Sequence, residues 1–341
     1  MLTSNFVNKR NNFEIKEIWN YLQKHGVAYD NPEASVVVRD QGKIIGTGSL
    51  DGKVMKYFFL EDDYKGQGIL AQIYNMLLTY LLDLGVTEHF IFTKPENYYI
   101  FKGIGLKKVI ETEKVLLLEG GFNTYKKWVK SIKNQLNPKA STRGAIVANC
   151  NPMTKGHKYL MDYAKSKVDE LIIFVVEENK SAFPTEVRYN IVKNEYKNDP
   201  KVLVVKGGNY IISQGTFPTY FLKKVDDSLD IYTELDAKIF SERIAKDLDI
   251  DIRFVGDEPI DRLTAKYNEK LYKSTLGVKL RLKKIDRKVE MGSPISASRV
   301  RSLIKEGKTE EAYPLLVDST IEFLQSPEGE KIIKIIQESE S

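Results

Sequence analysis

The chain has 341 residues, 42% of them hydrophobic, and carries 52 basic against 47 acidic side chains for a net charge of +5. That length exceeds one ordinary core, so two domains are expected; the single cysteine, Cys150, excludes a disulfide framework or a Cys-rich zinc site, and His25, His89 and His157 are too scattered to suggest a metal cage. No run approaches the roughly 20 apolar residues of a membrane span, the opening MLTSNFVNKRNNF is too polar for a signal peptide, and Lys126, Lys127, Lys130 and Lys133 read as a solvated helix face, so a cytoplasmic protein with no membrane or nucleic-acid partner is expected.

In chain order, Phe13 to His25 reads as a helix and Ser35–Arg39, Lys43–Leu50 and Lys53–Phe59 as strands turning at Gln41-Gly42 and Asp51-Gly52. Gly68 to Leu84 is a long amphipathic helix with Ile69, Ile73, Met76, Leu77, Tyr80, Leu81 and Leu84 at helical spacing. His89–Thr93 is a strand, Asn97–Lys102 a short helix and Glu113–Leu118 a last strand. The loop Lys65-Gly66-Gln67-Gly68-Ile69-Leu70 resembles the phosphate loop of GNAT acetyltransferases, where consecutive N–H groups at a helix start hold the pyrophosphate of coenzyme A. Leu70 takes that loop's last small-residue position, and Lys65 stands where Arg is commoner. The run Asn97 to Leu106, with Phe101 and Gly105, resembles a later segment of the same family. A GNAT-like α+β domain over residues 1–120 is implied, with Lys65, Gly66, Gln67, Gly68 and Asn97 as candidates for holding a coenzyme A-like arm. Such a fold does not license acetyl transfer: only Glu61 and Tyr98 offer themselves as a base. Tyr98, Tyr99 and Phe101 read more simply as core, and His25 and His89 as structural.

Residues 121–142, charged and containing Asn137-Pro138, read as a linker with a helix around Tyr125 to Gln135. From 143 to 341 short apolar strands alternate with helices: strands at Ala145–Cys150, Leu171–Val176, Val202–Val205, Ile252–Val255 and Lys279–Ile285, helices at His157–Lys167, Thr185–Tyr196, Thr216–Lys224 and Thr233–Asp247. The alternation predicts a Rossmann-like, doubly wound parallel sheet whose ligand lies beyond the carboxyl ends of its strands. Ser296–Glu306 and two helices within Glu310–Glu338 close the chain.

The most informative stretch is Asn151-Pro152-Met153-Thr154-Lys155-Gly156-His157, a strand-to-helix turn that aims N–H groups, a helix dipole and an imidazole at one point suited to a phosphate. It resembles the Thr/His-x-Gly-His signature of the nucleotidyltransferase superfamily. Its partner element follows at Ile295-Ser296-Ala297-Ser298-Arg299-Val300-Arg301, with Ala297 in place of a serine. Adenylyl transfer rests on positioning and charge stabilisation rather than on a nucleophile. The resemblance therefore implies His157, Thr154 and Lys155 as catalytic, and Asn151, Pro152, Gly156, Lys180, Arg188, Ser296, Ser298 and Arg301 as nucleotide-binding. Lys180 and Arg188, near Phe183, Thr185 and Glu186, are assigned to the triphosphate. The plainer readings are a capping histidine at His157, a capping pair at Ser296 and Ser298, and a small buried thiol at Cys150.

A GNAT-like domain ahead of such a domain resembles the citrate lyase ligase family. The likeness runs through Ile91 to Asn97, Gly144 to His157, Asn209 to Ser213, Thr216 to Tyr220, Phe254 to Pro259, and Thr264 with Tyr267 and Asn268. It implies a ligase that uses ATP and Mg2+ to activate acetate as acetyl adenylate, releasing pyrophosphate. The enzyme then acetylates a thiol on the citrate lyase acyl carrier subunit, at the end of its dephospho-coenzyme A-derived prosthetic group, and releases AMP. Acetate is expected near Gly207–Tyr220 and Gly256–Asn268, and Asp257 and Glu258 are open to a magnesium, ribose or plain loop role. Two alternatives stand beside this: an adenylyltransferase acting on pantetheine phosphate or a nicotinamide mononucleotide, and a non-catalytic acyl-carrier or acetyl-coenzyme A sensor.

Overall fold

The computed structural model describes residues 1–178, 181–211, 228–257, 262–286, 289–290 and 293–339, the side chains of 228–229, 262–267, 289–290 and 293–294 excepted. The chain divides into two compact units, Met1–Lys127 with Pro218–Ile231, and Trp128–Phe217 with Tyr232–Ser341.

The first unit runs β1 (Leu2–Phe6), α1 (Asn12–Lys24), β2 (Ala34–Asp40), β3 (Lys43–Asp51), β4 (Val54–Leu60), α2 (Ile69–Asp83), β5 (Glu88–Thr93), α3 (Tyr98–Gly103), β6 (Lys107–Glu111) and β7 (Leu116–Gly121). The seven strands form one sheet in the order β1-β2-β3-β4-β5-β7-β6. All neighbours are antiparallel except β4 and β5, which share the single parallel pair Val54 and Phe90. Alternation along β2 explains the layering: Val36 and Val38 join the core beneath α2, and Val37 joins Ile18 and Leu22 of α1. The α2 stripe Ile69, Ile73, Leu77 and Leu81 is buried as its spacing predicts. Helix and sheet meet closely at Gly48, where a Cβ would stand 2.4 Å from Ile73. Two strands escape sequence reading. β1 is an edge strand with almost no burial, so it carries no apolar alternation, and β6 begins with two exposed lysines. The last strand lies at Leu116–Gly121 rather than Glu113–Leu118.

The second unit follows α4 (Tyr125–Lys133) with β8 (Arg143–Ala148), α5 (Lys155–Lys165), β9 (Glu170–Val175), α6 (Thr185–Glu195), β10 (Val202–Lys206), α7 (Ser228–Lys238), α8 (Ala245–Asp247), β11 (Ile252–Gly256), α9 (Arg262–Thr275) and β12 (Arg281–Ile285). Five of its described strands form a parallel sheet in the order β10-β9-β8-β11-β12, and Val289–Glu290 pairs antiparallel with Ser293–Pro294 outside it. β9 is buried along its whole length, as a strand covered on both faces must be. The order reverses between β8 and β11, which creates a crevice beyond their carboxyl ends. α7 passes through a π-helical turn, Ile239–Ile244, into α8, so the helix expected at Thr233–Asp247 begins earlier and is irregular. The helix α9 was not expected, and the one expected at 216–224 lies outside the described residues.

The chain closes with α10 (Ala297–Lys305), α11 (Thr309–Ala312), α12 (Asp318–Leu324) and α13 (Pro327–Glu338). Val300 and Ile304 of α10 pack with Leu315, Leu316, Leu324 and Ile332, which ties the helix to the closing helices. Among the described residues no helix is long and apolar enough to cross a membrane.

Candidate active site

β8 ends at Ala148, and the chain turns through Asn149 to Met153 before α5 starts at Lys155. Cys150 holds a left-handed φ of 50° and is wholly buried, which pushes its thiol up to about 12. It is the small interior residue its context suggests.

Thr154 is the N-cap of α5. Its hydroxyl accepts from the backbone N–H of His157 at 3.4 Å, and the backbone N–H of Thr154 donates to His157 Nδ1 at 3.1 Å. This capping box satisfies two helix-end donors and fixes the ring. With Nδ1 committed as an acceptor, the proton of the neutral imidazole belongs on Nε2. Gly156 makes room for more than ligand: a Cβ there would stand 3.1 Å from the carbonyl oxygen of Ile295, so the glycine lets the segment before α10 approach α5.

Ser296 caps α10, its hydroxyl accepting from Arg299 N–H at 3.2 Å. Residues of both helix starts line one cavity of about 510 Å³: Thr154, Gly156 and His157 from the first, Ile295, Ser296, Ala297 and Ser298 from the second. Asn149 at the end of β8 and Gly256 at the end of β11 complete it, together with Asn268, which donates to the Gly256 carbonyl at 3.3 Å, and Asp286. Arg253 also lines the cavity, buried, with its guanidinium 4.0 Å over the Phe240 ring.

Several expected ligand residues do other work. Asn151 shapes the turn: its Oδ1 accepts from Phe183 N–H at 2.9 Å, and its carbonyl accepts from Arg301 Nη1 at 2.6 Å. Arg301 also donates to Ser298 Oγ at 3.2 Å, so it ties the second helix start to the first turn. Pro152 is buried in that turn. Lys155 donates to the Pro314 carbonyl at 2.7 Å and lines a different cavity, with Lys158 and Asp162, because the first residue of α5 points away from the sheet crevice. Arg188 departs most from expectation. It is fully buried and gives every N–H to protein oxygen: Nε to Phe183, Nη1 to Asn149 and Val176, Nη2 to Glu178 and Thr185. In this structure Arg188 is an interior tie. Lys180, Glu258 and residues 212–220 lie outside the described residues, and Asp257 pairs with Lys284 at 2.7 Å. Asn149 was missed by sequence reading, having no motif position of its own.

In the first unit, Gly66 and Gly68 both hold left-handed φ values, 79° and 77°, and Gly68 caps α2. Lys65 pairs with Asp62, Gln67 donates to the Asp63 carbonyl at 3.1 Å, and Asn97 donates to Thr93 Oγ1 at 2.9 Å. Glu61 is paired with His25 at 3.1 Å.

A parallel sheet whose switch-point cavity is bordered by two capped helix starts is suited to an anionic ligand, and here it follows a separate α+β unit. A model of the family described as citrate lyase ligase C-terminal domain matches residues 143–324. The citrate (pro-3S)-lyase ligase of Escherichia coli (strain K12) is 32% identical over 327 residues, covering 94% of this chain and 93% of its own. That of Klebsiella pneumoniae is 32% identical over 311 residues, covering 89% and 90%. Among solved structures, the ribosomal-protein-S18-alanine N-acetyltransferase of Escherichia coli is similar at 13% identity and a TM-score of 0.29, covering 37% of this chain and 99% of its own. A GNAT-family acetyltransferase from Staphylococcus aureus MU50 is similar at 12% identity and a TM-score of 0.30, covering 35% and 99%. The chain belongs to the citrate lyase ligase family, and it is an enzyme.

Proposed function

We propose that the chain is a cytoplasmic ligase that spends ATP to acetylate citrate lyase in two steps. An acetate oxygen attacks the α-phosphorus of ATP, and the bond to pyrophosphate breaks, leaving acetyl adenylate. The thiol sulfur of the prosthetic group on the acyl carrier subunit then attacks the acetyl carbon, and the bond to AMP breaks.

The observation that carries this reading is the single cavity bordered by both helix starts, Thr154 to His157 and Ser296 to Ser298. Charge grows on phosphate oxygens as pyrophosphate leaves, and preoriented donors there lower the barrier without reorganisation. His157 Nε2–H is the donor assigned to the α-phosphate, held in place by the Thr154 box. The N–H groups and hydroxyls at Ser296 and Ser298 take the leaving phosphates, with both helix dipoles adding partial positive charge. Asn151, Pro152 and Gly156 shape the turn, Arg301 fastens the halves together, and Lys155 anchors α5. Magnesium supplies charge neutralisation for the phosphates of ATP. Among the described residues no group of three acidic, His or Cys side chains is placed to hold a metal, so no residue is assigned to it. The domain at residues 1–120 is assigned the coenzyme A-like arm, through Lys65, Gly66, Gln67, Gly68 and Asn97, with 121–142 as linker and 143–341 as the adenylyl-transfer domain.

The test is exchange of labelled pyrophosphate into ATP with and without acetate. Acetate-dependent exchange is the expected outcome. Exchange that ignores acetate supports a nucleotide adenylyltransferase, and no exchange under either condition supports a sensor.

A further inference from the structure

Arg188 and Asn149 form an arrangement different from the direct triphosphate contact that the resemblance implies for Arg188. The guanidinium is wholly buried, and all of its hydrogen-bond partners are neutral oxygens: four carbonyls, the Thr185 hydroxyl and the Asn149 amide oxygen. Among the described residues no carboxylate touches it; Glu177 and Glu178 act on it only at a distance. Arginine has donors and no acceptor, so the group facing it at 2.6 Å must be Asn149 Oδ1. The orientation of the amide is therefore set by chemistry. Its Nδ2 is the donor end, with one hydrogen directed at Ser181 Oγ at 3.3 Å and the second without an acceptor among the described residues. Asn149 lines the same cavity as Thr154, His157 and Ser296.

We infer that Asn149 is an anion-binding residue of this cavity, that it presents Nδ2–H to a phosphate oxygen of the bound nucleoside triphosphate, and that Arg188 is the positioning residue that enforces this orientation. Identifying the anion as a triphosphate rests on the function proposed above. Arg188 adds a second effect from the interior. Because every group it touches is a neutral oxygen and its acidic neighbours act only at a distance, the cation beneath Asn149 raises the positive potential where phosphate sits.

The substitution Asn149→Asp separates binding from stability. An aspartate would pair with Arg188 and satisfy it, so the melting temperature should hold or rise. The same change puts an oxygen where Nδ2 was and neutralises the buried cation, so ATP affinity measured by calorimetry should fall about 10- to 100-fold, the loss of one hydrogen bond to a charged group. Asn149→Ala and Arg188→Lys, alone and together, complete the test. If Arg188 acts through Asn149, the double variant binds ATP no more weakly than the weaker single variant. Unchanged ATP affinity in Asn149→Asp, or multiplicative losses in the double variant with each protein folded, overturns the inference. Wild-type protein that fails to bind ATP at all overturns the proposed function instead, and with it the identity of the anion.

Discussion

In the proposed reaction, His157 contributes a preoriented Nε2–H. The Thr154 N–H holds Nδ1 at 3.1 Å, which leaves the proton on the nitrogen assigned to the α-phosphate. His157→Ala should lower acetate-dependent exchange by about 10²- to 10³-fold, the usual loss on removing one preoriented donor, while the melting temperature shows a small change. Loss of exchange only in proportion to lost folded protein would reduce the histidine to a cap. Thr154→Val, which keeps the shape and removes the hydroxyl, should destabilise the fold by about 1 kcal/mol, the typical value of an N-cap. Thr154→Ser should restore it, and equal melting temperatures for all three would contradict the capping role. Cys150, pushed up to about 12 by burial, should resist maleimide at pH 8 in the native protein and react fully in denaturant. Three of the readable residues share one property: Thr154, His157 and Ser296 act on backbone three residues away, so their chemistry is written locally. Arg188 is different. Its partners lie up to 39 residues back, on the ends of other elements, so a helix-borne cation that looks ready for a ligand turns out to be an interior brace.

At the level of elements, the pairing of β5 with β7 contains a buried histidine with a measurable consequence. His89 faces Tyr74 of α2, with Nε2 and the phenol oxygen 2.9 Å apart, and burial lowers it to about 4. An unfolded chain takes up the proton near pH 6.5 while the folded chain resists it, so this contribution is complete above about pH 6.5 and declines as pH falls, by up to about 1.4 kcal/mol per unit, until about pH 4. His89→Gln should flatten the dependence of the urea midpoint on pH across that window, and an unaltered slope would remove His89 as its source. Gly120 opposite leaves no room, since a Cβ there would lie 2.3 Å from His89 Nε2. Gly120→Ala should therefore destabilise by about 1–3 kcal/mol, the usual cost of overpacking, seen as a lower melting temperature. Elements that pack an apolar face on a core, such as α2, β8 and β9, were legible because burial imposes period on sequence. The strands β1 and β6 were not, because an edge strand held by backbone hydrogen bonds needs no apolar alternation. The mixed composition of α9 hid it in the same way, behind a stretch chosen for its loop-like Gly256-Asp257 start.

For the whole molecule, the question is why one chain should carry both units. Adenylation of a small acid requires only a phosphate-holding cavity, and the second unit contains both helix starts that build it. Transfer to a thiol on a long arm requires, in addition, a hold on that arm. The first unit offers a glycine loop at the head of the 15-residue helix α2, where Gly66 and Gly68 keep left-handed φ values of 79° and 77° that side chains with a Cβ rarely adopt. Among the described residues nothing lies within 4 Å of a Cβ built on either glycine, so the cost of substitution there is backbone strain and displaced N–H groups rather than collision with the core. Gly66→Val and Gly68→Val should therefore leave the protein folded and acetate-dependent pyrophosphate exchange within about twofold of wild type, while raising the acyl carrier concentration needed for half-maximal acetylation about tenfold, the loss of one hydrogen bond to an anion. The two readouts belong to different steps, which makes the comparison decisive. If exchange collapses in a folded variant, the glycine loop serves adenylation and the units do not divide the reaction; if neither readout moves, the arm is held elsewhere. If only the carrier requirement rises, the first unit has kept the ligand logic of its glycine loop while the covalent chemistry is done in the second.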